Sequence, residues 1–172
     1  MQTDRPPVSG LSSPLDFSLL SFLIVDDQPF TRRIVRSILY GFGSREVYES
    51  ASGAEGLDLV RTAMPSIIIT DLVMPMVDGG RFVAMVKAPD APTNKIPVIV
   101  LSGYLTKTAA LAVTRHGADE LLVKPVSPKA LYGHISRIAL RNQLAQPPLA
   151  FLSNQKRRGV PERKNSDEVT LL

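Results

Sequence analysis

Cysteine and tryptophan are absent from this 172-residue chain, and aromatic side chains make up only 6% of it. Without cysteine there can be neither disulfides nor thiolate metal ligands, and a cytoplasmic home is favoured over an oxidising compartment. Long hydrophobic runs are lacking too. The one stretch that imitates a signal peptide or membrane span, Phe17–Val25, is interrupted by serines and closes on two aspartates, so it is too short to span and suits a buried strand. Nor is there a concentrated charge of one sign. The net charge of +4 divides into −1 over residues 1–18, +3 over 19–145 and +2 over 146–172, whereas nucleic-acid binding needs basic side chains gathered on one face. There is no internal repeat. What remains, 44% hydrophobic and 21% charged residues, is the balance of a globular chain of one domain with extensions.

Residues 1–18 contain "RPPVSGLSSP", rich in Pro, Ser and Gly without periodicity, and read as a flexible leader. Over residues 19–145 strand-like runs, "LSFLIV", "REVYES", "SIIIT", "IPVIVLS" and "DELLV", alternate with segments of helical period. That alternation predicts an α/β domain, a five-stranded parallel sheet with helices on both faces. Ser52–Glu55 is a capping box opening a helix on which Leu57, Val60 and Met64 share a face until Pro65 stops it. Ser127 before Pro128 starts a helix that runs to about Leu144. In the first helix Phe30, Ile34 and Ile38 form an apolar stripe with Arg32, Arg33 and Arg36 elsewhere, and Gly117 is placed as a left-handed cap. Residues 146–172, with Pro-Pro and a basic cluster, read as a disordered tail.

In a parallel sheet of this kind ligands sit at the carboxyl ends of the strands. There the first strand offers Asp26 and Asp27, the third Asp71, the fourth Ser102 and the fifth Lys124. Singly, each has a structural reading: a helix cap, the start of a turn, a loop hydroxyl, a solvated strand end. Jointly, four of five strand ends carrying complementary groups are hard to attribute to caps. Three neighbouring carboxylates repel and call for a cation. With oxygen ligands alone Mg²⁺ is the natural choice, held by a few carboxylates and a carbonyl while reaching toward a phosphate. Three carboxylates, one Mg²⁺ and Lys124 sum to zero, a pocket balanced to receive an anion. An aspartate beside such a metal can attack phosphorus and become an acyl phosphate, with Ser102 placed to hydrogen-bond the added oxygens. Asp71 is the residue with a reason to be altered.

Asp26-Asp27, Asp71 followed by "LVMPMVDG", Ser102 after "VIVL", and Lys124-Pro125 resemble the receiver domain of two-component response regulators, including single-domain chemotaxis regulators, over about Leu19 to Leu144. The resemblance implies a doubly wound, flavodoxin-like sheet in strand order 2-1-3-4-5, an order whose standard illustration includes the chemotaxis regulator. It implies that Asp71 accepts phosphate from a sensor histidine kinase or phosphotransfer protein, and that Asp27, Asp71 and the Val73 carbonyl hold Mg²⁺ with Asp26 helping through water. Lys124 would contact the phosphoryl group, and its bond to Pro125 would be cis. Where many receivers carry an aromatic residue, this chain has Leu121; Tyr104 reads as an exposed loop aromatic.

The leading expectation is thus a phosphorylation-dependent signalling module, not an enzyme beyond its own phosphorylation and dephosphorylation. Its output would pass through the face made by the fourth helix, fifth strand and fifth helix, with a homodimer compatible and neither a DNA-binding domain nor a membrane span expected. A constitutive scaffold of the same fold is the alternative, supported by Leu121. An aspartate-nucleophile phosphatase is disfavoured because Val73 stands where a second acid belongs, and a flavin module because no hydroxyl-rich phosphate loop follows the first strand. His116 and His134 have no second ligand at metal spacing, the five Met residues suit packing, and "KRRGVPERK" reads as a solvated run rather than an anchoring arm.

Overall fold

The computed structural model describes residues 15–104 and 106–144. Five strands, β1 (Ser21–Val25), β2 (Glu46–Ser50), β3 (Ile67–Asp71), β4 (Val98–Ser102) and β5 (Glu120–Val123), alternate with five helices, α1 (Pro29–Gly41), α2 (Gly53–Ala63), α3 (Gly79–Val86), α4 (Lys107–Arg115) and α5 (Pro128–Asn142). The strands pair in parallel in the order β2-β1-β3-β4-β5, the doubly wound arrangement expected from sequence. Register aligns Val25 with both Ser50 and Thr70, Asp71 with Leu101, and Ser102 with Val123, so the residues just beyond these positions meet at one edge.

Both faces of the sheet are covered, which is why the central strands read as unbroken apolar runs. Successive side chains alternate between two cores. Phe22, Ile24, Ile67, Ile69, Ile99 and Leu101 pack against α1 and α5 through Val35, Leu39, Leu131, Ile135 and Ile138. Leu23, Val25, Ile68, Val98 and Val100 pack against Leu57, Val60, Phe82, Val83 and Val113 from α2, α3 and α4.

Several local expectations need correction. On α1 the buried residues are Val35 and Leu39, with Ile38 half-buried, whereas Phe30 is 72% exposed and Ile34 lies at the surface. The helix carries two apolar ridges, and the sheet takes the other one. Met64 does not join the face of Leu57 and Val60; it is the exposed left-handed C-cap of α2 at φ 46°. Ser52 Oγ accepts the Glu55 N–H as a capping box requires, but the Glu55 carboxylate reaches back to the Ala51 N–H, one residue early. The expected leader ends sooner than Ser18. Asp16 caps a single turn of 3₁₀ helix, Phe17–Leu19, and Phe17 is buried against Phe42 and Tyr132, with ring centroids 5.0 and 5.6 Å away. The rest of the leader, residues 1–14, and the tail assigned to 146–172 lie outside the described residues.

Candidate functional site

Asp71 ends β3, Ser102 ends β4, Asp26 and Asp27 directly follow β1, and Lys124 directly follows β5. The Lys124 N–H donates to the Ser102 carbonyl at 2.8 Å, which carries the ladder far enough to bring the lysine beside the acids. One carboxylate oxygen from each of Asp26, Asp27 and Asp71 lies within 4.8 Å of the others, the one grouping of three or more metal-type ligands among the described residues. Lys124 Nζ sits 3.0 Å from Asp26 Oδ2 and 2.9 Å from Asp71 Oδ1. Asp26 is fully buried and Asp71 is 4% exposed.

The motif after Asp71 has a steric explanation. Asp78 caps α3, its Oδ1 accepting the Arg81 N–H at 2.8 Å, and the Gly79 N–H donates to the Leu72 carbonyl at 2.8 Å. A Cβ on Gly79 would overlap the Asp71 carbonyl oxygen and approach the Leu72 Cα to 2.8 Å. The glycine therefore lets the loop fold tightly back on the strand end that carries the carboxylate.

The three acids differ in their bonding. Every polar atom of Asp26 is used: its N–H donates to the Ser50 carbonyl (3.2 Å), its Oδ1 accepts from the Gln28 N–H (2.8 Å), its Oδ2 from Lys124, and its carbonyl oxygen from Arg32 Nη1 (2.7 Å). Asp27 Oδ1, by contrast, is buried with no hydrogen-bond partner. A buried carboxylate oxygen without a donor carries a desolvation penalty that a cation would remove. Oxygen-only donors and an orphaned carboxylate oxygen beside Asp71 fit a hard divalent cation such as Mg²⁺, with Asp27 Oδ1 unpartnered, Asp71 Oδ1 shared with Lys124, and both carboxylate oxygens of Asp26 committed to protein donors.

Burial pushes the Asp71 carboxyl above its ordinary 3.8; the hydrogen bond and charge of Lys124 pull it back, and the Asp26 charge adds to the rise. For Lys124, burial works against the ammonium, but hydrogen bonds to Asp71 and Asp26 and both negative charges outweigh it and hold the pKa above the ordinary 10.5. Burial thus dominates the shift at Asp71, and the paired Asp71 and Asp26 carboxylates dominate it at Lys124.

Ser102 is buried at the same edge, but its hydroxyl donates to the Tyr104 carbonyl at 2.6 Å and so is held by its own loop. Tyr104 is exposed, as the sequence suggested. Val73 lies two residues past Asp71 with its side chain exposed, and Leu121 packs half-buried on the α2–α4 side. The Lys124–Pro125 bond is cis. His116 is exposed, and His134 Nδ1 lies 2.9 Å from Glu120 Oε2, away from the acid cluster. Arg32, placed from sequence merely off the apolar stripe, touches the site through the Asp26 carbonyl. The only sequence signal for it was its i, i+4 spacing from Arg36 facing an acid-bearing neighbouring strand.

This sheet order, with three acids and a lysine at its carboxyl edge, defines a receiver domain. Residues 22–136 match the response regulator receiver domain family, and the chain belongs to that family of two-component signalling domains. It is 30% identical over 124 residues to response regulator Rre1 of Synechocystis sp., covering 72% of this chain and 53% of that one. It is 35% identical over 127 residues to the KDP operon transcriptional regulatory protein KdpE of Escherichia coli, covering 74% and 54%. The chain thus spans about half the length of these two regulators. Among solved structures it is similar to the Vibrio cholerae chemotaxis protein CheY4, with a TM-score of 0.65 and 30% identity, covering 70% of this chain and 98% of the other. No helix among the described residues is long and apolar enough to cross a membrane.

Proposed function

We propose that the domain is a phosphoacceptor: Asp71 takes a phosphoryl group from a phosphohistidine of a sensor kinase or phosphotransfer protein, and the modified site changes the affinity for an output partner. The observation that carries this reading is the orphaned Asp27 Oδ1 beside a buried Asp71 that shares Lys124 with Asp26. Asp71, Asp27 and the Val73 carbonyl would hold Mg²⁺, with Asp26 acting through water. Mg²⁺ bound there would offset the carboxylate charge and favour approach of an anionic phosphoryl group.

In the transfer an Asp71 carboxylate oxygen forms a bond to phosphorus as the P–N bond of the phosphohistidine breaks and imidazole leaves. Lys124, within reach of Asp71, neutralises charge gathering on the phosphoryl oxygens. Ser102 has only to exchange the Tyr104 carbonyl for a phosphoryl oxygen to register the change. Because Lys124 follows β5 directly, that registration reaches the loop before α5, and the α4, β5 and α5 face is where an output protein or a second copy would read it. A cytoplasmic location goes with this role. No separate substrate is turned over; the chemistry is phosphorylation and slow self-dephosphorylation.

A phosphorylation-independent scaffold is the competing reading, favoured by the engaged Ser102 hydroxyl and by Leu121. Intact-mass measurement after treatment with acetyl phosphate and Mg²⁺ separates the two. The phosphoacceptor reading expects one added phosphoryl group on the wild type and none on Asp71→Asn. A wild type of unchanged mass whose partner binding is also unaffected by Asp71→Asn establishes the scaffold.

A further inference from the structure

Asp27 Oδ1 meets no donor from the protein, so no hydrogen bond aims that oxygen and its direction follows the backbone that carries it, the peptide joining Asp26 to Asp27. That peptide lies just past the end of β1, where the sheet ladder no longer supplies a partner for the Asp26 carbonyl. Arg32 supplies one: its Nη1 donates to that oxygen at 2.7 Å, while its Nε lies 3.4 Å from Glu49 Oε2 on β2. Glu49 is held in turn by Arg36, one turn further along α1. On its amino side Asp26 is gripped by Ser50, the residue after Glu49. The two ends of Asp26 are therefore tied to adjacent residues of β2, the amino end directly to Ser50 and the carbonyl end to Glu49 through a guanidinium whose side chain is only 18% exposed.

We infer that Arg32 is a positioning residue for the cation site, holding the Asp26–Asp27 peptide so that the unpartnered Asp27 carboxylate is aimed toward Asp71, with Glu49 fixing the guanidinium. The inference rests on reading the acid cluster as a divalent-cation site. It makes a prediction of sign that electrostatics alone reverses. A guanidinium acting only as a nearby positive charge would oppose a divalent cation, and removing it would tighten binding; a guanidinium that aims a ligand loosens binding when removed. Groups that orient metal ligands from behind are commonly worth ten- to a hundredfold in affinity.

The test is calorimetric titration of Mg²⁺ into the metal-free full chain, alongside amide spectra of Asp26, Asp27 and Gln28. Arg32→Ala is expected to weaken Mg²⁺ binding about tenfold and to shift or broaden those three amides, whereas Arg36→Ala, which loses a Glu49 contact without touching Asp26, stays within about twofold of wild type. Arg32→Lys keeps the charge but cannot make both contacts, and falls between. It also serves as the readable variant if Arg32→Ala fails to fold. Binding by Arg32→Ala equal to or tighter than wild type overturns the inference, as does equal weakening by Arg36→Ala or a wild type that binds no Mg²⁺. A wild type that binds Mg²⁺ yet takes no phosphoryl group overturns the phosphoacceptor reading alone and leaves the role of Arg32 standing.

Discussion

Two clusters of charge flank β5, and they are built in opposite ways. At the carboxyl edge of the sheet three carboxylates face a single ammonium, and Asp71 and Asp26 share it. On the α5 side one carboxylate, Glu120, faces His134 at 2.9 Å, Arg137 at 3.1 Å and Arg141 at 3.1 Å. Burial pushes both Asp71 and Glu120 toward protonation. For Glu120 the hydrogen bonds of Arg137 and His134 and their charges overturn that and hold the carboxyl below its ordinary 4.5, while for Asp71 burial prevails. The Glu120 cluster is a clamp fastening β5 to α5, complete with the groups it has. The acid edge is incomplete by itself, and its surplus negative charge is a standing cost that a bound cation would offset.

The largest way to break this contrast is to remove the orphaned acid. Asp27→Ala is expected to weaken Mg²⁺ affinity by more than about a hundredfold, beyond the usual effect of a supporting residue, as read by calorimetry. Glu120→Ala leaves that affinity unchanged, and comparable losses from both variants would erase the distinction between the clusters.

Next comes the pH dependence of stability without metal. A folded pKa above the unfolded value means the folded chain binds protons more readily, so ionising Asp71 costs stability as pH rises from 3.8 through the folded pKa. Asp71→Asn should accordingly melt higher than metal-free wild type at pH 7 and lose that advantage below pH 3.8. Thermal melts in chelator, scanned over pH, decide it.

Glu120 has the reverse sign. Its lowered pKa contributes stability that is fully present above 4.5 and disappears as pH falls through the folded value. Because Arg137 and Arg141 are about half exposed, screening limits the effect, and Glu120→Gln should cost about 1 kcal/mol at pH 7 in denaturant unfolding. A penalty that persists at pH 3 would show that packing, not charge, holds the clamp. Smallest of all, Phe30→Ala should change stability by less than about 0.5 kcal/mol, against about 3 kcal/mol for Leu39→Ala one ridge away; denaturant unfolding of the two variants checks which face of α1 meets the sheet.

That last pair marks the limit of what the sequence could tell. The strands and the acid edge were legible because runs such as "SIIIT" and "IPVIVLS" have unbroken apolar centres and give way abruptly to polar residues. The parallel topology then fixes where those ends meet. The buried face of α1 was not legible, since Phe30, Ile34 and Ile38 make as good a stripe as Val35 and Leu39. Only the sheet decides between them. The packing of Phe17 on Tyr132 and the reach of Arg32 to the Asp26 carbonyl are contacts between elements, and no local period announces either. Nor could sequence show that Asp26 is fully bonded and Asp27 is not, the asymmetry on which the cation site turns.

The most direct measurement is to locate the acceptor atom. The chain is incubated with a phosphodonor and Mg²⁺, any acyl phosphate is trapped by borohydride reduction, and the digest is sequenced by mass spectrometry. Homoserine at position 71, and its absence when Mg²⁺ is withheld, is the expected result. Reduction at another carboxylate, or at none, would contradict the assignment of this acid edge as a site for phosphoryl exchange.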